Sequence, residues 1–189
     1  MVELQTYIDL VLSSIPAWFY WGLLVGVVIG GVVIYVNHND NFNCSVMWKR
    51  DVARLMLLEW VALVVTSTVA FRVSSTERRI QLVPFRSYWD FGEHSYFQEC
   101  FAMNVLNVAL LVPVGFLAGC GLRGMTLKKV LLLGGVISVF IELLQFLFKK
   151  GFCETDDVIH NVLGCLIGYG LSKVIFNIEK YENKSYRTV

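Results

Sequence analysis

Five apolar segments, each near twenty residues long, constrain this chain more than any other feature. They lie at about 17–36, 52–71, 102–120, 127–148 and 158–177. About twenty apolar residues in a helix cross the hydrocarbon layer of a bilayer. Backbone groups in that layer have no water to bond, so each segment must satisfy its own N–H and C=O groups as a helix. The expected fold class is therefore all-α, an integral membrane helical bundle of about five transmembrane helices. Composition agrees, with 56% of residues hydrophobic and 16% charged, where a soluble domain has about 25% charged. The first partner implied is the membrane lipid bilayer. A net charge of +1 gives no case for nucleic acid. Five cysteines without C-x-x-C spacing and only three histidines point to no metal site, and no cofactor is expected.

The N-terminus, Met1-Val2-Glu3-Leu4, lacks the basic region of a signal peptide. Residues 4–15 repeat apolar side chains at helical spacing, with Glu3, Gln5 and Asp9 between them. Residues 1–16 are expected to form a short interfacial amphipathic helix. The transmembrane domain follows over 17–177, and 178–189 form a cytoplasmic tail. Trp18, Tyr20, Trp21 and Tyr35 flank the first span as interfacial aromatics. Gly22, Gly26 and Gly30 give it a small-residue face for helix contact.

An odd number of spans puts the termini on opposite sides. Of the sixteen Lys and Arg, the loops on the side of the C-terminus carry ten, including Lys49, Arg50, Arg54, Arg123, Lys128 and Lys129. The opposite side carries six: Arg72, Arg78, Arg79, Arg86, Lys149 and Lys150. Cytoplasmic loops are enriched in Lys and Arg. The expected arrangement is a multi-pass plasma membrane protein with its N-terminus outside and its C-terminus in the cytoplasm.

The polar residues gather at one end. The loop from Arg78 to Trp89 is basic and aromatic, and Pro84 keeps it from being a plain helix interior. Tyr88 and Trp89 suit the headgroup region. The third span carries Asn104 and Asn107 near its start, and the fourth carries Glu142 and Gln145 near its end. The fifth opens with Asp156, Asp157 and Asn161. Successive spans run antiparallel, so all of these fall at the same end, whichever side faces out. Asp157, Asn161, Gly164 and Gly168 share one helical face, able to approach another helix closely. An ionised group within a span costs about 2.5–3.5 kcal/mol, which marks it as a candidate for function. The candidate catalytic residues are Asp157, Glu142 and Arg86, the last able to hold a carboxylate or phosphate with two hydrogen bonds. Asn104, Asn107, Gln145, Asp156, Asn161, Tyr88 and Trp89 are the candidate substrate-binding residues. The same amides and ion pairs also lock membrane helices together, and that use stays open. Glu59 receives no catalytic role, and the Asn-rich stretch from Asn37 to Cys44 reads as a solvated loop. Pro113 is expected to kink the third span. Cys100 and Cys153 lie at the same mouth and could pair if that side is oxidising.

Four blocks of these residues resemble the VanZ-like family: Leu82–Ser87 (LVPFRS), Asn104–Gly115 (NVLNVALLVPVG), Ser138–Gln145 (SVFIELLQ) and Asp156–Gly168 (DDVIHNVLGCLIG). The resemblance covers about 78–172. The chain departs from the family's common pattern at Gln81, commonly Asn, and at Leu106-Asn107, commonly Gly-Asn. The family takes its name from a membrane protein that raises resistance to teicoplanin, a glycopeptide that binds peptidoglycan precursors outside the cell. The resemblance therefore implies reduced susceptibility to lipoglycopeptides and a role in the cell envelope.

Three functions fit these residues. The outer polar pocket could bind or modify an envelope lipid or a lipid-linked envelope precursor. The aromatic loop could instead shield or remodel the target of a glycopeptide drug without chemistry. A small transporter or flippase is a third reading, but the acidic groups cluster at one end rather than lining a path.

Overall fold

The computed structural model describes residues 44–70, 78–85 and 94–185, together with positions 21, 24 and 74. Helix α1 spans Cys44–Val65 and ends in a π-helical turn, Thr66–Ala70. A short strand β1, Arg79–Gln81, precedes helix α2, His94–Gly121. Helix α3 spans Leu127–Phe148. Strand β2, Phe152–Glu154, leads directly into helix α4, Thr155–Ser185.

The chain is a membrane-type all-α bundle. Among the described residues, four helices are long and apolar enough to span a bilayer: Arg50–Ala70, Met103–Gly121, Leu127–Phe148 and Thr155–Ile175. These coincide with the second to fifth apolar segments. The first segment, 17–36, and the N-terminal helix expected over 1–16 lie outside the described residues. Only Trp21 and Leu24 of that region are described, and both are helical and exposed. Helix α4 runs on through residues assigned to the tail, as far as Ser185.

Burial reverses the pattern of a water-soluble helix. The inward face of α3 carries Val130, Gly134, Ser138, Ile141, Glu142 and Gln145. Its outward face exposes Leu132, Val136, Val139, Phe140, Leu143 and Leu147. A helix with buried carboxylate and amide groups and exposed large aliphatics is stable only where its surroundings are apolar, because in water those aliphatics would be driven inward. Helix α4 repeats this arrangement, burying Asp156, His160, Asn161 and Ser172 while exposing Leu163, Ile167 and Leu171.

The most extensive contact in the bundle is a seam between α2 and α4, which run parallel. A Cβ added at Gly164 would lie 2.0 Å from the carbonyl oxygen of Val108, and one at Gly168 would lie 1.9 Å from that of Val112. The two backbones touch because no side chain stands between them. Helix α1 packs on the other side of α2, with Trp60 Nε1 donating to the carbonyl of Leu110 at 2.8 Å. Helix α2 continues through Pro113 from His94 to Gly121.

The described part of the basic aromatic loop, residues 78–85, is not helical and holds a short strand that the sequence reading did not place. Arg79–Gln81 pairs in parallel with Phe152–Glu154, Ile80 opposite Cys153. Three residues of strand carry no sequence signal. They form because two connections meet at one end of the bundle, where exposed backbone groups find each other.

Candidate functional site

The end of the bundle where β1 meets β2 holds most of the buried polar side chains. The start of α4 is fixed first. Thr155 donates its hydroxyl to the Gln81 carbonyl at 3.4 Å. Asp156 and Asp157 occupy the first turn of α4, where a carboxylate is favoured by the helix dipole. The Asp156 carboxylate accepts the backbone N–H of Phe85 at 2.5 Å. Phe85 has φ 60, a left-handed conformation uncommon for a residue with a side chain. A buried acid thus holds the Pro84-Phe85 turn against the helix.

Asp157, one residue on, points elsewhere. Its Oδ1 accepts from Asn107 Nδ2 at 2.6 Å, linking α4 to α2. Asn161, one turn further, donates from Nδ2 to Ser138 Oγ at 2.8 Å, linking α4 to α3. On α3, Glu142 accepts the backbone N–H of Glu154 at 2.9 Å. Gln145 donates from Nε2 to the Thr68 carbonyl at 3.2 Å. Thr68 lies in the π-helical turn that ends α1, and such turns recur at functional sites.

These groups enclose a cavity of about 50 Å³, lined by Asn107, Glu142, Gln145, Asp157 and Asn161, with Thr68, Val64, Leu110, Ile141 and Met103 completing its wall. Its polar lining residues lie two to six positions inside the ends of their spans, or about 3–9 Å along the helix axes. Among the described residues, two buried side-chain oxygens have no hydrogen-bond partner, Gln145 Oε1 and Asn161 Oδ1. The cavity is acidic and rich in acceptors.

The structure therefore brings Asn107, Glu142, Gln145, Asp157 and Asn161 together. It puts Asp156 beside them, on the loop turn rather than in the cavity wall. Asn104 is buried on α2, one turn before Asn107. Arg86, Tyr88 and Trp89 lie outside the described residues.

Sequence reasoning passed over Thr68, Ser138 and the setting of Cys153. Ser138, Glu142 and Gln145 follow at spacings of four and three, so the face they share was visible in principle. Thr68 had no such signal, because it contributes a backbone carbonyl. Cys153 is a free thiol. Burial raises its pKa first, then the negative charges of Glu142 and Asp157 and a hydrogen bond with Glu142. His160 is buried too, with Nδ1 2.6 Å from the Asp156 carbonyl of its own helix.

The chain matches the VanZ/LLP1 family model over residues 52–177. It is also similar to Protein VanZ of Enterococcus faecium, with 28% identity over 109 residues. That match covers 56% of this chain and 62% of the relative, so the likeness spans less than two thirds of the relative's length. No solved structure matches the chain.

Proposed function

The chain belongs to the VanZ/LLP1 family, and from that premise we propose that it is a multi-pass plasma membrane protein that acts on the cell envelope. Its polar cavity opens on the outer side, with the N-terminus outside and the C-terminus in the cytoplasm. There it binds or modifies an envelope lipid or a lipid-linked precursor and lowers susceptibility to teicoplanin and related lipoglycopeptides.

One observation carries this reading. Five polar side chains from three helices, Asn107, Glu142, Gln145, Asp157 and Asn161, line one cavity about a turn inside the ends of the apolar helices. Helices held together by polar side chains alone have no need of a void among them. In this reading Asp157 or Glu142 is the general base, tuned by burial and neighbours. Arg86, next in the chain to the Phe85 tied by Asp156, holds a phosphate or carboxylate of the substrate. Asn107, Gln145 and Asn161 position it.

A second reading rests on the loop. Ile80, Leu82, Val83 and Phe85 are all exposed apolar side chains, and two aromatic residues, Tyr88 and Trp89, follow them in the sequence. Such a surface inserts into the outer headgroup layer and shields a target without chemistry.

Teicoplanin susceptibility in a Gram-positive host lacking its own copy separates the two. Empty vector, wild type, Arg86→Ala and Asp157→Asn strains are compared at matched membrane levels. Protection by wild type and neither variant is the expected result. Full protection by both variants would remove the cavity from the mechanism and leave the loop, to be tested by Tyr88→Ala and Trp89→Ala.

A further inference from the structure

The cavity's hydrogen-bond balance says which chemical group it is built to receive. Gln145 and Asn161 are 3% and 4% exposed. Each uses its amide nitrogen inside the protein, on the Thr68 carbonyl and on Ser138 Oγ. A carbonyl only accepts, so the Thr68 contact fixes which way the Gln145 amide faces. Both amide oxygens are left buried without a partner, which destabilises the fold if nothing bonds them. Two carboxylates, Glu142 and Asp157, line the same space.

We propose that this cavity is a receptor site for a primary ammonium group. The inference rests on the reading of the cavity given above and names the chemistry of its ligand. An ammonium brings three donors and no acceptor. That matches two unpartnered amide oxygens in a wall that also carries two carboxyl side chains. A hydroxyl brings an acceptor of its own into a space already rich in them, and a quaternary ammonium has no N–H to offer.

Volume and position agree. About 50 Å³ is room for about three waters, or for an ammonium and the carbon that bears it, but not for a sugar ring. The wall includes Met103, which is 40% exposed, so the cavity borders the outer surface of the bundle. Its depth of about 3–9 Å inside the span ends is within reach of a lipid headgroup. The ammonium is presented either by an aminophospholipid or by a soluble amine.

The test uses the purified full-length protein in detergent. Its melting temperature is measured with phosphatidylethanolamine, phosphatidylcholine or phosphatidylglycerol in mixed micelles. Parallel samples receive ethanolamine, choline, sodium chloride or calcium chloride at equal ionic strength. Stabilisation by phosphatidylethanolamine or ethanolamine, with affinity about tenfold above the choline counterpart, is expected. Stabilisation by the lipid alone identifies the lipid as the source; stabilisation by both, or by free ethanolamine alone, shows that a soluble amine suffices. The preference should vanish in Gln145→Met, which keeps the side chain's length and removes the amide oxygen. Equal response to ethanolamine and choline compounds overturns the proposal. So does stabilisation by calcium alone, which would mark a metal site, and so does no response to any addition, which would leave the cavity to water. The drug is absent throughout, so failure here leaves the susceptibility result of Asp157→Asn to decide the wider reading separately.

Discussion

The two ends of the bundle are both polar, and they differ in how their polar groups are used. At the far end, the turn between α2 and α3 is tied down by long side chains. Arg54 Nε donates to the Gly121 carbonyl at 3.0 Å while its Nη1 pairs with Asp51 at 2.7 Å. Tyr169 donates to the Met125 carbonyl at 2.8 Å, and Lys129 Nζ to that of Gly124 at 2.9 Å. Thr126 caps α3 by accepting from the Lys129 amide. Arg54 Nε, Tyr169 and Lys129 Nζ each meet a turn carbonyl that the helices left over. At the cavity end, side chains from three helices face one another around a void. Buried amide oxygens remain unmatched there. A polar cluster in a membrane bundle is thus no sign of a site by itself. Surplus acceptors around a space are a better one.

The seam between α2 and α4 sets the spacing on which the cavity depends, so it offers the largest test of this contrast. Gly168→Ala would drive a methyl group into the Val112 carbonyl. It should lower stability by about 3 kcal/mol and reduce the protein's level in the membrane, read by thermal unfolding in detergent and by blot. Little change in both would show that the seam is looser than described.

The far end comes next. Tyr169→Phe removes one hydrogen bond and should cost about 1 kcal/mol. Drug protection, normalised to membrane level, should be unchanged. Lost protection at normal level would break the contrast, because it would give a purely structural end a share in activity. Asn107→Ala is its mirror image. Interhelical hydrogen bonds in membranes average about 0.6 kcal/mol, so melting should barely move while protection falls to the empty-vector level.

The smallest effect concerns Cys153, studied with the other four cysteines replaced. Glu142 bears a negative charge near the thiol and helps to raise its pKa, which keeps thiolate scarce at neutral pH. Removing that charge in Glu142→Gln lowers the pKa and enlarges the thiolate fraction. Alkylation at neutral pH should then run about twofold faster. A slower rate would separate Glu142 from Cys153.

Much of this architecture was legible in the sequence. Span positions follow from apolar run lengths, because the bilayer sets a minimum length. The shared end of Asn107, Glu142, Gln145, Asp157 and Asn161 follows from alternating span direction alone. Gly164 and Gly168 announced a close approach, though not that α2 was the partner. What stayed hidden depended on backbone contacts. The pairing of β1 with β2, the use of the Thr68 carbonyl by Gln145 and the hold of Asp156 on Phe85 all employ groups every residue carries. Asp156 and Asp157 are adjacent acids, and only three-dimensional placement assigns one to the loop and the other to the cavity.

The central claim is that the charged lining of the cavity acts on a ligand rather than holding helices together. The double variant Glu142→Gln/Asp157→Asn tests it most directly, since it keeps side-chain size and one acceptor oxygen on each residue, for the Glu154 N–H and Asn107 Nδ2, while removing both charges. Teicoplanin susceptibility is measured at a membrane level and melting temperature matched to wild type. Protection lost in a normally folded double variant is the predicted result. Protection retained at the wild-type level would contradict the claim and return these residues to the role of helix contacts.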